Sequence, residues 1–283
     1  MKYCSGVVIM KKKLFKTISM IFCIIMIILS VGCKKEEASK EKPAKAIKIV
    51  CEDTVSPMVN DLVRDYNLNN ESQVTVEYSE RESAFNKLYN DEVSVLIGYY
   101  DPQNKEIEND PLAYDGVGII VNDSNKLDSV STEELRKIYT GDISNWEKLK
   151  GPSQAIVPVA YKNTSNLVAQ EFNTKLMETP IKESMGKSTA YVSSVEEMKN
   201  FVAKDKNSIG FIPGQWYNKE TKFLKLNGIE ITISNIKNEL YALRFPIKIY
   251  YSKEKKDSLK DVLQYFKSED AKKIIRKYST EAF

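Results

Sequence analysis

Pro111-Leu112-Ala113-Tyr114-Asp115-Gly116-Val117-Gly118-Ile119-Ile120-Val121-Asn122 decides how this chain is read. Gly116 to Val121 is a short unbroken apolar run, the pattern of a strand buried on both faces. Asn122-Asp123-Ser124-Asn125 ends it with turn residues. Ser131-Thr132-Glu133-Glu134 then opens a helix through Tyr139, with a cap-like Ser and early acids. Thr140-Gly141-Asp142 breaks that helix.

Upstream, Ala46 to Val50 predicts a strand. Val55, Met58, Val59, Leu62, Val63 and Tyr66 recur at helical spacing, with Asp53 and Thr54 as caps. Gln73 to Tyr78 alternates as a strand, Ala84 to Tyr89 suits a short helix, and Val93 to Tyr99 is a further strand. Downstream, the pattern predicts strands over Ile156 to Ala160, Asn207 to Ile212 and Phe245 to Tyr251. Helices are expected over Ser165 to Met177, Val195 to Ala203, Asp257 to Lys267 and Asp270 to Lys277. This alternation argues an α/β fold whose parallel or mixed sheet is flanked by helices. No internal repeat is visible.

The composition narrows the function. The 283 residues include no His, which removes the usual general base, the usual metal ligand and every serine-type triad. Five of the 42 basic residues (Lys2, Lys11, Lys12, Lys13 and Lys16) fall in the first 32, which hold no acid. The remainder therefore carries 37 basic against 39 acidic side chains. A near-neutral body offers no electrostatic case for nucleic acid. Of the four cysteines, Cys4, Cys23 and Cys33 lie in or beside the leader and only Cys51 lies in the body. An internal disulfide or a Cys/His zinc site is therefore unavailable, and no metal or other cofactor is expected.

The leader has the order of a secretory signal: a basic Lys11-Lys12-Lys13-Leu14-Phe15-Lys16, an apolar Ile18 to Val31, then Gly32-Cys33. Leu29-Ser30-Val31-Gly32-Cys33 resembles a bacterial lipobox, with Ser30 where the pattern has Leu. Cys33 would receive lipid and become the new N-terminus. The other reading is an uncleaved signal anchor; both put the body outside the membrane. Met10 is the more natural start of such a leader than Met1. Residues 1–32 are read as signal peptide and 33–45 as a charged tether too polar to bury a face.

The stretch Pro111 to Asn122, with Leu127 to Leu149 and its Glu134-Leu135-Arg136-Lys137-Ile138-Tyr139-Thr140-Gly141 and Ile143-Ser144-Asn145-Trp146, resembles the phosphate-binding proteins of bacterial phosphate ABC transporters. Asn207-Ser208-Ile209-Gly210-Phe211-Ile212 and Tyr241-Ala242-Leu243-Arg244-Phe245-Pro246 continue the match in order. The resemblance implies the two-lobed periplasmic-binding-protein (type II) fold, with two crossover strands near Tyr114–Val121 and Leu243–Tyr250. Lobe one would be 46–115 plus 244–283 and lobe two 116–243, with the ligand in the cleft between them. The implied partners are a small anion such as phosphate, the membrane subunits of an ABC transporter, and the cell membrane, on whose extracytoplasmic face a lipid anchor would hold the protein. No enzymatic activity is expected.

The family's anion contacts carry over only in part. Its first loop is Gly followed by hydroxyl residues. Here it is Cys51-Glu52-Asp53-Thr54-Val55-Ser56-Pro57, where Thr54 keeps a hydroxyl while Glu52 and Asp53 would repel an anion if they face the cleft. In the second, Tyr78-Ser79-Glu80-Arg81-Glu82-Ser83 lacks the glycines, and Arg81 stands where the family has Ser. Arg81 either supplies a bidentate anion contact or pairs with Glu52, Glu80 or Glu82. The family Asp that accepts the ligand's proton is matched by Ser94. In the third, Tyr161-Lys162-Asn163-Thr164-Ser165-Asn166-Leu167 has Tyr161 for the family Arg and keeps Ser165 as a helix-start donor, or as a plain cap beside Thr164. Tyr161 and Asn166 would line the cleft. Two functions stay open: a receptor for phosphate or a related oxyanion, and the same fold with a degenerate anion site that binds another small molecule or a protein surface. An enzyme using Glu52 and Asp53 as paired carboxylates has no further support in the sequence.

Overall fold

The apolar stretch quoted above is the second half of a 16-residue strand, Ile107–Asn122, around which the rest is arranged. The computed structural model describes residues 46–99, 104–177, 185–217 and 219–282. The leader, the tether, Met10 and Cys33 lie outside these residues, as does Tyr100. Eleven strands are described: β1 (Ile47–Cys51), β2 (Val74–Tyr78), β3 (Val95–Gly98), β4 (Ile107–Asn122), β5 (Ser129–Val130), β6 (Val157–Tyr161), β7 (Ala190–Val192), β8 (Ser208–Pro213), β9 (Thr221–Leu226), β10 (Arg244–Ser252) and β11 (Thr280–Glu281). The helices are α1 (Ser56–Asn69), α2 (Arg81–Tyr89), α3 (Thr132–Thr140), α4 (Leu167–Phe172), α5 (Val195–Lys204), α6 (Ile233–Lys237), α7 (Lys260–Phe266) and α8 (Glu269–Ile275).

β4 changes partners along its length. Its first part, to Gly116, runs antiparallel to β10, which pairs on its other side with β3; β1 lies next to β3 and β2 next to β1, both parallel. From Val117 onward β4 pairs antiparallel with β8 and with β9, and β8 leads in parallel to β6 and β7. The apolar residues of this second part are wholly buried, as its unbroken hydrophobic run requires. Gly118 allows the Phe223 ring to lie against the strand: a Cβ there would come within 2.2 Å of the ring.

Most predicted elements are present with ends shifted by one to three residues. The helix after β1 departs more. Neither Asp53 nor Thr54 caps it through a side chain; a 3-10 turn, Asp53–Val55, leads directly into α1. The helix expected over Ser165 to Met177 starts at Leu167, is capped by the Asn166 side chain on the Ala169 N–H at 2.7 Å, and widens to a π-turn over Asn173–Met177. Ser165 and Thr164 are therefore not its caps. Ser131 caps α3 as expected and forms a full capping box, with Ser131 Oγ accepting from the Glu134 N–H at 3.1 Å and Glu134 Oε2 accepting from the Ser131 N–H at 2.8 Å. Aromatic packing fixes the far side of β6. Phe172 and Phe211 stack at 4.0 Å, and Tyr139 and Tyr161 meet them edge-on.

Candidate functional site

Four loops that follow the carboxyl ends of strands meet in one place. Glu52, Asp53 and Thr54 follow β1. Tyr78, Ser79, Glu80 and Arg81 join β2 to α2. Tyr161, Asn163 and Asn166 join β6 to α4, and Ser193, Ser194 and Val195 join β7 to α5. Together they line a cavity of about 260 Å³. In open α/β sheets the crevice outside the carboxyl ends of the strands is where ligands bind.

Four of the six ligand-binding residues read from the sequence come together here: Thr54, Arg81, Tyr161 and Asn166. Thr54 is buried, and its Oγ1 has no hydrogen-bond partner among the described residues, while its carbonyl accepts from Trp216 Nε1 at 2.9 Å. An unsatisfied buried hydroxyl costs on the order of 1–3 kcal/mol, so a ligand atom within reach of it gains that energy on binding. Arg81, the first residue of α2, donates from its guanidinium to the Tyr99 carbonyl. Its Nε lies 3.9 Å from Glu52 Oε1, an ion pair beyond direct hydrogen-bond length. Tyr161 presents its ring, because its hydroxyl is turned away to donate to the Phe211 carbonyl at 3.0 Å. Burial, followed by the nearby Asp53 charge, holds that phenol well above its ordinary pKa. The Asn166 side-chain oxygen is spent on its cap.

Two expected residues are placed elsewhere. Ser94 precedes β3, and its N–H donates to the Lys48 carbonyl near the start of β1. Because β1 and β3 are parallel, Ser94 lies at the opposite end of the strands from Glu52, about 13 Å away at ~3.3 Å per residue. Ser165 is exposed, and its N–H donates to Asn163 Oδ1 at 2.8 Å. It lines a neighbouring hollow of about 860 Å³, to which Arg81 also contributes.

Glu52 is the feature whose position the sequence did not give. It is 3% exposed, and its Oε2 accepts from the Leu167 N–H at 2.9 Å. A carboxylate from the end of β1 thus sits on the first residue of the helix after β6, with Arg81 at its flank. Asp53 remains exposed and accepts a long contact from Ser56 Oγ at 3.4 Å. Among the described residues, the cavity lining therefore holds three carboxylates (Glu52, Asp53 and Glu80) and one guanidinium. Ser193 and Ser194 were also missed. Ser194 caps α5 through the Glu197 N–H at 3.1 Å, so its signal in the sequence was the Ser-x-x-Glu pattern opening that helix.

Two other buried groups have raised pKa values. Burial, then the Glu52 and Asp53 charges, pushes the Cys51 thiol far up, so it stays protonated. Asp115 lies where β4 changes partners. It accepts from the Gly116 N–H at 2.7 Å and from Gln215 Nε2 at 3.0 Å, and burial raises its pKa to about 6 despite those donors. Among the described residues no group of three or more His, Cys, Asp or Glu is placed to hold a metal ion.

The family model that matches is described as a PBP superfamily domain and covers residues 36–270. The "Phosphate-binding protein PstS" of Borreliella burgdorferi is 25% identical over 247 residues, covering 83% of this chain and 86% of that protein. A Clostridium perfringens structure, described as a phosphate ABC transporter substrate-binding protein with bound phosphate, superposes with a TM-score of 0.77 at 19% identity, over 84% of this chain and all of the other. An ABC-type phosphate transport receptor from Vibrio cholerae gives a TM-score of 0.69 at 25% identity, over 82% of this chain and 98% of that one.

Proposed function

The chain belongs to the PBP superfamily, and from that premise we propose that it is the extracytoplasmic solute-binding component of an ABC transporter, taking phosphate or a related oxyanion. The observation that carries the ligand class is the unpartnered Thr54 hydroxyl in the same cavity as the Arg81 guanidinium. A hydroxyl donor and a forked cation are what an oxyanion's several acceptor oxygens use. The phosphate-binding names of its relatives point the same way. The chain is a binding protein and not an enzyme.

On this reading 46–115 with 244–283 forms one lobe and 116–243 the other. The change of partners within β4 at Gly116 and Val117 supports that division. Cys33 carries the lipid that holds the protein to the outer face of the membrane, within reach of the transporter's membrane subunits. Mass analysis of the mature N-terminus, with Cys33→Ser as control, tests the anchor: an unmodified Cys33 in membrane-extracted protein removes it.

Calorimetric titration of the purified protein with phosphate, then sulfate, at low salt tests the ligand class. Micromolar phosphate binding that disappears in Arg81→Ala supports it. The three carboxylates of the lining favour a second reading, a small molecule that is not an anion. Absence of heat and of thermal shift with either anion selects that reading.

A further inference from the structure

Glu52 already makes the contacts an incoming anion would seek. Its carboxylate is buried and reaches from the end of β1 to the Leu167 N–H, 115 positions away in the chain. Its second oxygen lies beside Arg81, the single cation among the described residues of the cavity lining. The unpartnered Thr54 hydroxyl lines the same cavity, two residues further on. A negative charge fixed at this point does two things. It occupies the Leu167 N–H donor that would otherwise be offered to a ligand, and it repels a second anion across a cavity of only about 260 Å³, where screening by water is reduced.

We propose that Glu52 is the specificity-determining residue of the cleft, a tethered carboxylate that competes with the ligand. This rests on the oxyanion reading above. An oxyanion seats on Thr54 and Arg81 only when the Glu52 carboxylate is displaced from Leu167 or neutralised. The charge, and not the bulk, of Glu52 sets how weakly the protein holds phosphate. Glutamine keeps the length and an acceptor for the Leu167 N–H while removing the charge, so Glu52→Gln separates the two effects.

The experiment compares wild type, Glu52→Gln and Glu52→Asp by calorimetric titration with inorganic phosphate. Exchange of the Leu167 amide is followed by NMR in the ligand-free wild type and in Glu52→Ala. The expected result is phosphate binding at least tenfold tighter in Glu52→Gln than in wild type. Glu52→Asp, which keeps the charge, shows no such gain, and the Leu167 amide exchanges faster in Glu52→Ala. Equal phosphate affinity in wild type and Glu52→Gln overturns the inference and leaves the oxyanion reading standing. An unchanged Leu167 exchange rate in Glu52→Ala overturns it independently, by removing the tether. Faster exchange with no phosphate binding in any of the proteins sinks the oxyanion reading itself, and the competition with it.

Discussion

Replacing Asp115 with Asn removes a titration that the fold has displaced. The carboxyl is buried where β4 passes from one set of partners to the other, and its pKa is raised from 3.8 to about 6, by burial against the opposing donors of Gly116 and Gln215. Between these values the native state holds a proton that the unfolded chain has released. Stability therefore falls as pH rises through the window, and the loss is complete above about 6. At about 1.4 kcal/mol for each pH unit, the displacement from 3.8 to about 6 costs the folded protein about 3 kcal/mol by pH 7. Asparagine resembles the protonated acid. Its oxygen can accept from the Gly116 N–H, and its amide can donate to Gln215 Oε1, which has no partner among the described residues, once that side chain turns over. Urea unfolding of wild type and Asp115→Asn at half-unit steps from pH 4 to 7.5 provides the measurement. The two stabilities should diverge by about 3 kcal/mol across the window, with Asp115→Asn the more stable at neutral pH. Parallel curves would refute the displaced titration and place the carboxyl in its ordinary range.

Tyr161→Phe removes the donor to the Phe211 carbonyl and should cost about 1 kcal/mol in urea unfolding. It should leave ligand affinity nearly unchanged, since only the ring faces the cavity. Ser131→Ala opens the capping box of α3 and should lower stability by about 1 kcal/mol, whereas Ser131→Asp restores most of it. Cys51, buried and held protonated, should resist iodoacetamide in native buffer and react in urea; alkylation mapped to Cys51 in the folded protein would show that its strand opens locally.

The sequence determined the elements and their order because those signals are local. Six apolar positions at helical spacing specify α1, and an apolar run with no break specifies the buried half of β4, whatever they later pack against. The motif comparison also named Thr54, Arg81, Tyr161 and Asn166, which line one cavity in the structure. Short pieces such as β5 and β11, two residues each, carry too little pattern to be read. Ser94 and Ser165 were misplaced for a related reason. Position along an aligned loop does not say at which end of a strand a residue lies, or whether its helix begins one residue before or after it. Only the tertiary structure decided what Glu52 does. Read alone, it is an acid in the loop matched to the family's first anion contact. Its partner lies 115 positions away on another strand's loop, and the two meet because β1 and β6 direct their carboxyl ends at the same cavity. A contact between residues that distant leaves no periodicity or spacing in the chain, and it is made by the packing of the sheets.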